Sequence, residues 1–251
     1  MRVSYPTYNE SAIVIPCYNE SKRINPHQYL DGLKDFPSQV FLVDDGSRDN
    51  TFSVLKNLER KAPDRFIAIK CIDNNGKAEA VRRGMNEAIG KKFKYVGFMD
   101  ADLATPFSEV PSFLKVFKDN SEVNSVIGTR LKLAGHQIER SNSKYFIQKV
   151  IANMGSLLFS PKVSDTQCGA KMFKADVLSP AIKEKFSVNW LFDQELLTRL
   201  SKLPQNKNKN WLYELPLSKW AEVGGSHVKK SDYIKCLKDY FKLIMKYGIR
   251  K

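Results

Sequence analysis

FMDADLATP, residues Phe98 to Pro106, closes an apolar run that begins at Tyr95 and ends in two aspartates, Asp100 and Asp102, one alanine apart. If the run is a buried strand, residues two apart point to one side. The two carboxylates then project together from the strand's C-terminal end, where open α/β sheets bind their ligands. Like charges that close repel unless a cation neutralises them. Hard divalent ions are held by one or two carboxylates plus substrate phosphates. The other reading is a solvated Asp-x-Asp at a strand end, and what lies upstream decides between them.

Upstream, strands alternate with helices. Ala12 to Ile15 reads as a strand stopped by Pro16, followed by a helix over Pro26 to Phe36. Val40 to Val43 is a second strand, leading to a helix over Thr51 to Lys61 that Ser47 or Asp49 can cap. Phe66 to Cys71 is a third. A Gly turn then opens a helix with apolar positions at Ala78, Val81, Met85 and Ala88, terminated by Gly90. Lys94 to Met99 is the fourth strand, ending on the aspartates. Such alternation predicts an α/β fold with a mostly parallel central sheet and helices on both faces. Short apolar runs without polar alternation agree, since both faces are covered.

The second half is less regular. Strands are expected at Ser125 to Gly128, Lys171 to Phe173 and Trp211 to Leu217. Helices are expected at Lys144 to Phe159, Ala175 to Lys183 and Phe192 to Leu203. Ile234, Leu237, Phe241 and Ile244 recur at helical spacing beside Lys235, Lys238, Lys242 and Lys246, which predicts a C-terminal amphipathic helix with a basic flank. That helix either packs its apolar side on the domain or docks on an anionic membrane. No repeat and no clean boundary appear, so residues 1–251 are read as a single domain.

Composition narrows the partners. The chain has 251 residues, 42% of them hydrophobic, ample for a sizeable core. Its 41 Lys+Arg against 27 Asp+Glu give a net charge of +14, which favours an anionic partner: nucleic acid, a phosphorylated substrate or a membrane surface. Cys17, Cys71, Cys168 and Cys236 lack metal-binding or disulfide spacing, which suits a reducing cytoplasm. No spanning segment and no signal peptide are read.

Four strand ends carry small or acidic residues: PCYNE (Pro16 to Glu20), VDDGSRD (Val43 to Asp49), NNGKAEA (Asn74 to Ala80) and MDAD (Met99 to Asp102). In a parallel sheet all four open on one edge. Acidic groups there can accept hydrogen bonds from a nucleobase or ribose, Lys77 can meet a phosphate, and a metal on Asp100 and Asp102 can bridge a diphosphate. No GxxxxGK[ST] or GxGxxG loop is present. Acidic strand ends would repel a nucleic-acid backbone, which argues against such a partner.

PCYNE, VDDGSRDNT, NNGKAEAVRRGM, MDADLATP, GTR, SDTQCGAKMF and WLFDQELL, in that order, resemble the signatures of family 2 inverting glycosyltransferases of the GT-A fold. Within that family the similarity is to the polyprenyl-phosphate (dolichyl-phosphate) glucosyltransferase-like and mannosyltransferase-like branch. The resemblance implies a nucleotide-binding half over 1–105 and an acceptor-binding half over 106–251. It implies that Pro16, Tyr18, Asn19, Glu20, Asp44, Asp45, Lys77, Asp100 and Ala101 bind the donor. Asp100 and Asp102 would hold Mg²⁺ or Mn²⁺ against the donor diphosphate, whose developing charge the ion neutralises. Asp193 would deprotonate an acceptor hydroxyl. If the acceptor is already an anionic phosphate, Asp193 or Glu195 would only orient the sugar.

Asp165 and Gln167 fit a sugar-facing loop or a capped turn. Arg130 and Arg140 can grip an acceptor phosphate with two-pronged bonds, although Arg140 reads equally as a solvated surface residue. His227, where relatives more often carry Lys after Gly-Ser, is read as a metal or diphosphate neighbour or as structural. The implied reaction is metal-dependent hexose transfer, from UDP-glucose first and GDP-mannose second, to a polyprenyl phosphate. Transfer to a hydroxyl of a cell-surface glycan or glycolipid is the alternative, and a nucleotidyltransferase is the rival outside the class. The expected setting is cytoplasmic, with peripheral association at a membrane's cytoplasmic face.

Overall fold

A computed structural model describes residues 10–139, 153–223 and 230–249, apart from 35, 37, 156 and 160. Arg140, His227 and most of the helix expected over Lys144 to Phe159 lie outside these residues. The chain forms β1 (Ser11–Cys17), α1 (Pro26–Asp31), β2 (Gln39–Asp44), α2 (Thr51–Lys61), β3 (Phe66–Lys70), α3 (Lys77–Gly90) and β4 (Tyr95–Met99). Then follow α4 (Val110–Asp119), β5 (Ser125–Thr129), β6 (Gln137–Glu139), β7 (Ala170–Lys174), α5 (Ala175–Ala181) and α6 (Phe192–Ser201). β8 (Leu212–Pro216), β9 (Lys219–Ala221) and α7 (Lys230–Tyr247) complete the order.

Seven strands make the central sheet in the order β3-β2-β1-β4-β7-β5-β8. All neighbours pair in parallel except β7, which runs antiparallel to both β4 and β5. Each strand feeds two cores because its side chains alternate. Ala12 and Val14 of β1 face one layer, with α3, α5, α6 and α7, while Ile13 and Ile15 face the other, with α1, α2 and α4. Helix α3 lies hard against the sheet at Gly84, where a Cβ would come within 2.4 Å of Val14 and 2.9 Å of Val43. β6 and β9 form a separate parallel pair.

Several boundaries differ from expectation for local reasons. β1 runs through Pro16, in register with Val43, to Cys17. Its pairing with β4 has ended by Val14, so the missing N–H falls where only one side is paired. α1 stops at Asp31 rather than Phe36, before Gly32, whose missing Cβ leaves room for the Phe107 ring. Asp49 does serve the start of α2, accepting from Thr51 N at 2.9 Å, whereas Ser47 turns to Asn19 N. Gly90 is the last residue of α3 and does not terminate it by a left-handed turn; that conformation falls to Lys92, with φ 65°. Helix α4 and the pair β6 and β9 were not expected from the sequence.

Candidate active site

Three parallel strands, β2, β1 and β4, deliver their C-terminal ends to one edge, and the turns that follow are tied together by side chains. Asn19, held at φ 53°, accepts from Arg48 N at 2.9 Å, and its own N–H donates to Ser47 Oγ at 3.0 Å. Glu20 N donates to Thr51 Oγ1 at 2.8 Å. The PCYNE and GSRDNT turns therefore hold each other. Tyr18 stays exposed at the mouth, while the buried Glu20 carboxylate takes two bonds from Arg23, at 2.9 and 3.1 Å.

The two aspartates ending β2 divide their work. Asp45 accepts from Asn75 N at 3.0 Å and Gly76 N at 2.8 Å, so its carboxylate fixes the neighbouring NNGK turn. Asp44 is fully buried and its Oδ2 has no partner among the described residues. A buried polar atom left open is uncommon. Of the pair predicted to meet the nucleotide, Asp44 thus keeps one oxygen unpartnered among the described residues, while both oxygens of Asp45 accept from the NNGK turn.

The Asp-x-Asp does not continue the strand. β4 ends at Met99, and Asp100 to Leu103 form a turn with Leu103 at φ 50°. Strand alternation thus does not set the pair, and the turn aims each carboxylate separately. Asp100 Oδ1 receives Lys77 Nζ at 2.5 Å. Asp102 faces Arg23 at 3.5 Å and accepts from Ala104 N at 3.1 Å, while Ala101 O receives the buried Tyr29 hydroxyl at 2.7 Å. Burial, reinforced by the Asp100 charge, pushes the Asp102 carboxyl above its ordinary range.

Gly169 lies just beyond the Met99–Ala170 pair of β4 and β7, opposite Asp100. A Cβ at 169 would fall 1.9 Å from Asp100 Oδ2, so the carboxylate fills space that only glycine leaves. Among the described residues no group of three or more His, Cys, Asp or Glu gathers to hold a metal. Two hard oxygen ligands at the cleft, with Lys77 and Arg23 as their present counter-charges, still fit Mg²⁺ or Mn²⁺. Such ions take one or two carboxylates and complete their shell with phosphate and water.

Asp193 sits in the first turn of α6, buried, with Oδ2 3.4 Å from Lys171 Nζ and Oδ1 without a partner among the described residues. Lys171 is itself buried in β7, where it donates to Cys168 O at 2.6 Å. Burial raises the Asp193 carboxyl above the usual carboxylate range, against the pull of Lys171 and Lys77. For Lys77, burial alone would lower the ammonium, but Asp100 and then Asp193 overcome it and raise it. Two ion pairs result, Lys77 with Asp100 in the turn after β4 and Lys171 of β7 with Asp193 of α6.

Two of the residues expected on the acceptor side are paired within the protein. Arg130, at the end of β5, closes its guanidinium fork on Asp165 with two bonds of 2.7 Å. Both side chains are buried. Glu195, offered as an alternative to Asp193, is paired as well. It accepts from Ser187, Val188, Arg199 and Tyr247, fully buried. Gln167 is half-buried. Sequence reading missed Lys171, Gly169 and Arg23. A lysine inside the buried run AKMF was the one available signal.

Known proteins are similar to this chain in sequence and in fold. The model of the family "Glycosyl transferase family 2" matches residues 12–180. A dolichyl-phosphate β-glucosyltransferase of Trichomonas vaginalis is 30% identical over 243 residues, covering 92% of this chain and 69% of that protein. The dolichyl-phosphate β-glucosyltransferase of Saccharomyces cerevisiae is 28% identical over 257 residues, covering 94% and 74%. Among solved structures, a mannosyltransferase of Pyrobaculum calidifontis, in complex with GDP-Man and Mn²⁺, superposes with a TM-score of 0.65 at 19% identity, over 98% of this chain and 67% of that one. A glucosyl-3-phosphoglycerate synthase of Mycobacterium tuberculosis, with Mn²⁺, UDP and phosphoglyceric acid, gives 0.65 at 15% identity, over 96% and 79%. These likenesses establish the GT-A fold, and the chain belongs to glycosyl transferase family 2: it is a glycosyltransferase.

Proposed function

We propose that this glycosyltransferase moves a hexose, glucose before mannose, from a nucleotide-diphosphate sugar to a polyprenyl phosphate with inversion at the anomeric carbon. The observation that carries the reading is the Lys77–Asp100 ion pair at the strand-end edge of the sheet, beside the Asp102 carboxylate. Relatives named for dolichyl-phosphate glucosyl transfer support the sugar and the acceptor.

The parts take these roles. Asp44 Oδ2 accepts from the base or ribose, beside the Tyr18 ring. Lys77, released from Asp100, meets the diphosphate. Asp100 and Asp102 would hold Mg²⁺ or Mn²⁺, which when bound would supply Lewis-acid neutralisation of the leaving group. The acceptor oxygen attacks the anomeric carbon from the Asp193 side as the bond to the diphosphate breaks. A phosphate oxygen arrives already anionic and needs no base, so Asp193 then orients the transferred sugar through its open Oδ1.

A hydroxyl acceptor is the second reading, and one observation favours it: a buried carboxyl raised above its ordinary range is a better base near neutral pH. Replacing Asp102 tests the donor side of both. With Mn²⁺ present, Asp102→Ala is expected to abolish donor turnover while leaving the circular dichroism spectrum and melting midpoint near wild type. Full turnover by that variant would remove the metal assignment.

A further inference from the structure

Helix α7 presents two different faces. Cys236, Tyr240 and Leu243 are buried in the core layer beneath it. Leu237, Phe241 and Met245, spaced four apart and so aligned on one face, are 51%, 66% and 86% exposed, and Ile249 beyond the helix end is 58% exposed. The stripe expected from sequence is therefore split: Leu237 and Phe241 face out, Ile244 is half-buried, and the side chain of Ile234 lies outside the described residues.

Lysines flank the exposed stripe along one side. Lys238 and Lys242 are exposed and have no ion-pair partner among the described residues. From 235 to 251 the sequence holds a single acid, Asp239. Its carboxylate is turned inward, accepting from Trp190 N at 2.8 Å and Leu191 N at 3.2 Å. Over 235–249 the outer face thus combines apolar side chains with positive charge and, among the described residues of the helix, no exposed carboxylate. At the helix's C-terminal end, Ile249 shares a groove of about 440 Å³ with Lys202, Lys207 and Lys209, which extends the basic surface.

We propose that this face of α7 is a docking surface for an anionic lipid membrane, with Leu237, Phe241 and Met245 entering the interface and the lysines meeting headgroups. A helix with an apolar face and a lysine flank has the chemistry of an in-plane interfacial helix. Each lysine near an anionic surface adds to the attraction. A second copy of this chain is disfavoured, since an isologous contact would set lysine flank against lysine flank. The inward side of the same helix, through Asp239, grips the segment two residues ahead of Asp193. The binding claim goes beyond the proposed reaction and does not depend on the acceptor's identity.

The test is flotation of the full chain, without donor or acceptor, on phosphatidylcholine vesicles with and without phosphatidylserine at physiological salt. Binding is expected only to phosphatidylserine-containing vesicles, weakening as salt rises. Phe241→Ser/Met245→Ser and Lys238→Glu/Lys242→Glu should each weaken it at least about tenfold, with turnover of a short-chain, water-soluble acceptor unchanged. No flotation at any lipid charge would overturn the proposal, as would flotation that neither variant weakens. A vesicle-free dimer dissolved by Phe241→Ser would overturn it in favour of self-association. Loss of flotation with soluble turnover intact removes the docking face alone; flotation without any turnover removes the reaction alone.

Discussion

At the scale of single residues, the account turns on which carboxylates are free to act. Asp193 is buried beside Lys171, and its protonation should be legible in rate. With a phosphate acceptor, Asp193→Asn is expected to be nearly silent; with a hydroxyl acceptor it should cost 10²-fold or more, typical of a lost general base (~10²–10⁴). The pH profile adds a sign. The carboxylate is the basic form, so hydroxyl-acceptor activity falls as pH drops through the raised value of Asp193. Lys171→Met removes the cation that favours ionisation and should move that acid limb to higher pH, while Lys171→Arg keeps it near wild type. A lysine that only packs would change stability and leave the limb in place. Gly169→Ala probes the other end. Its methyl would sit where Asp100 Oδ2 lies, and a misplacement of that size should cost donor turnover about 10²-fold in steady-state kinetics. Asp44, Asp100, Asp102 and Asp193 were legible because each ends an apolar run or opens a helix. Lys171 was not, since nothing in strand periodicity assigns a charge to a buried position.

At the scale of elements, the first four strands and the helices between them could be read directly, because parallel strands covered on both faces are written as short apolar runs. Direction could not. Nothing in AKMF says that β7 runs against its neighbours, yet that reversal puts Gly169 across from Asp100. Pairings between distant segments were equally hidden. Arg130 and Asp165 stand 35 residues apart, and only the end of β5 meeting the loop before β7 closes the guanidinium fork. Asp165→Asn should leave that guanidinium buried without its counter-charge. The expected cost is about 3–5 kcal/mol, read as a lower denaturant midpoint. An acceptor KM raised with stability unchanged would return Arg130 to the acceptor site. The seating of α3 makes a matching prediction: Gly84→Ala drives a methyl into Val14 and Val43, and overpacking there should cost about 1–3 kcal/mol.

For the whole molecule, one sheet edge gathers the donor groups and one helix relates that edge to the surroundings. The net charge of +14 pointed to an anionic partner without choosing it; the fold shows where unpaired lysines accompany exposed apolar side chains. Among the described residues no helix is long and apolar enough to cross a membrane. Specificity among sugars rests on a few contacts in turns that spacing rules do not reach. The most direct test of the central claim is mass spectrometry of the products formed from UDP- and GDP-sugars with Mn²⁺ and a short-chain polyprenyl phosphate. The account predicts a polyprenyl phosphate carrying one hexose, formed best from UDP-glucose and absent with Asp102→Ala. Donor turnover that yields no sugar-bearing lipid phosphate from any donor, while a hydroxyl acceptor is glycosylated, would contradict it.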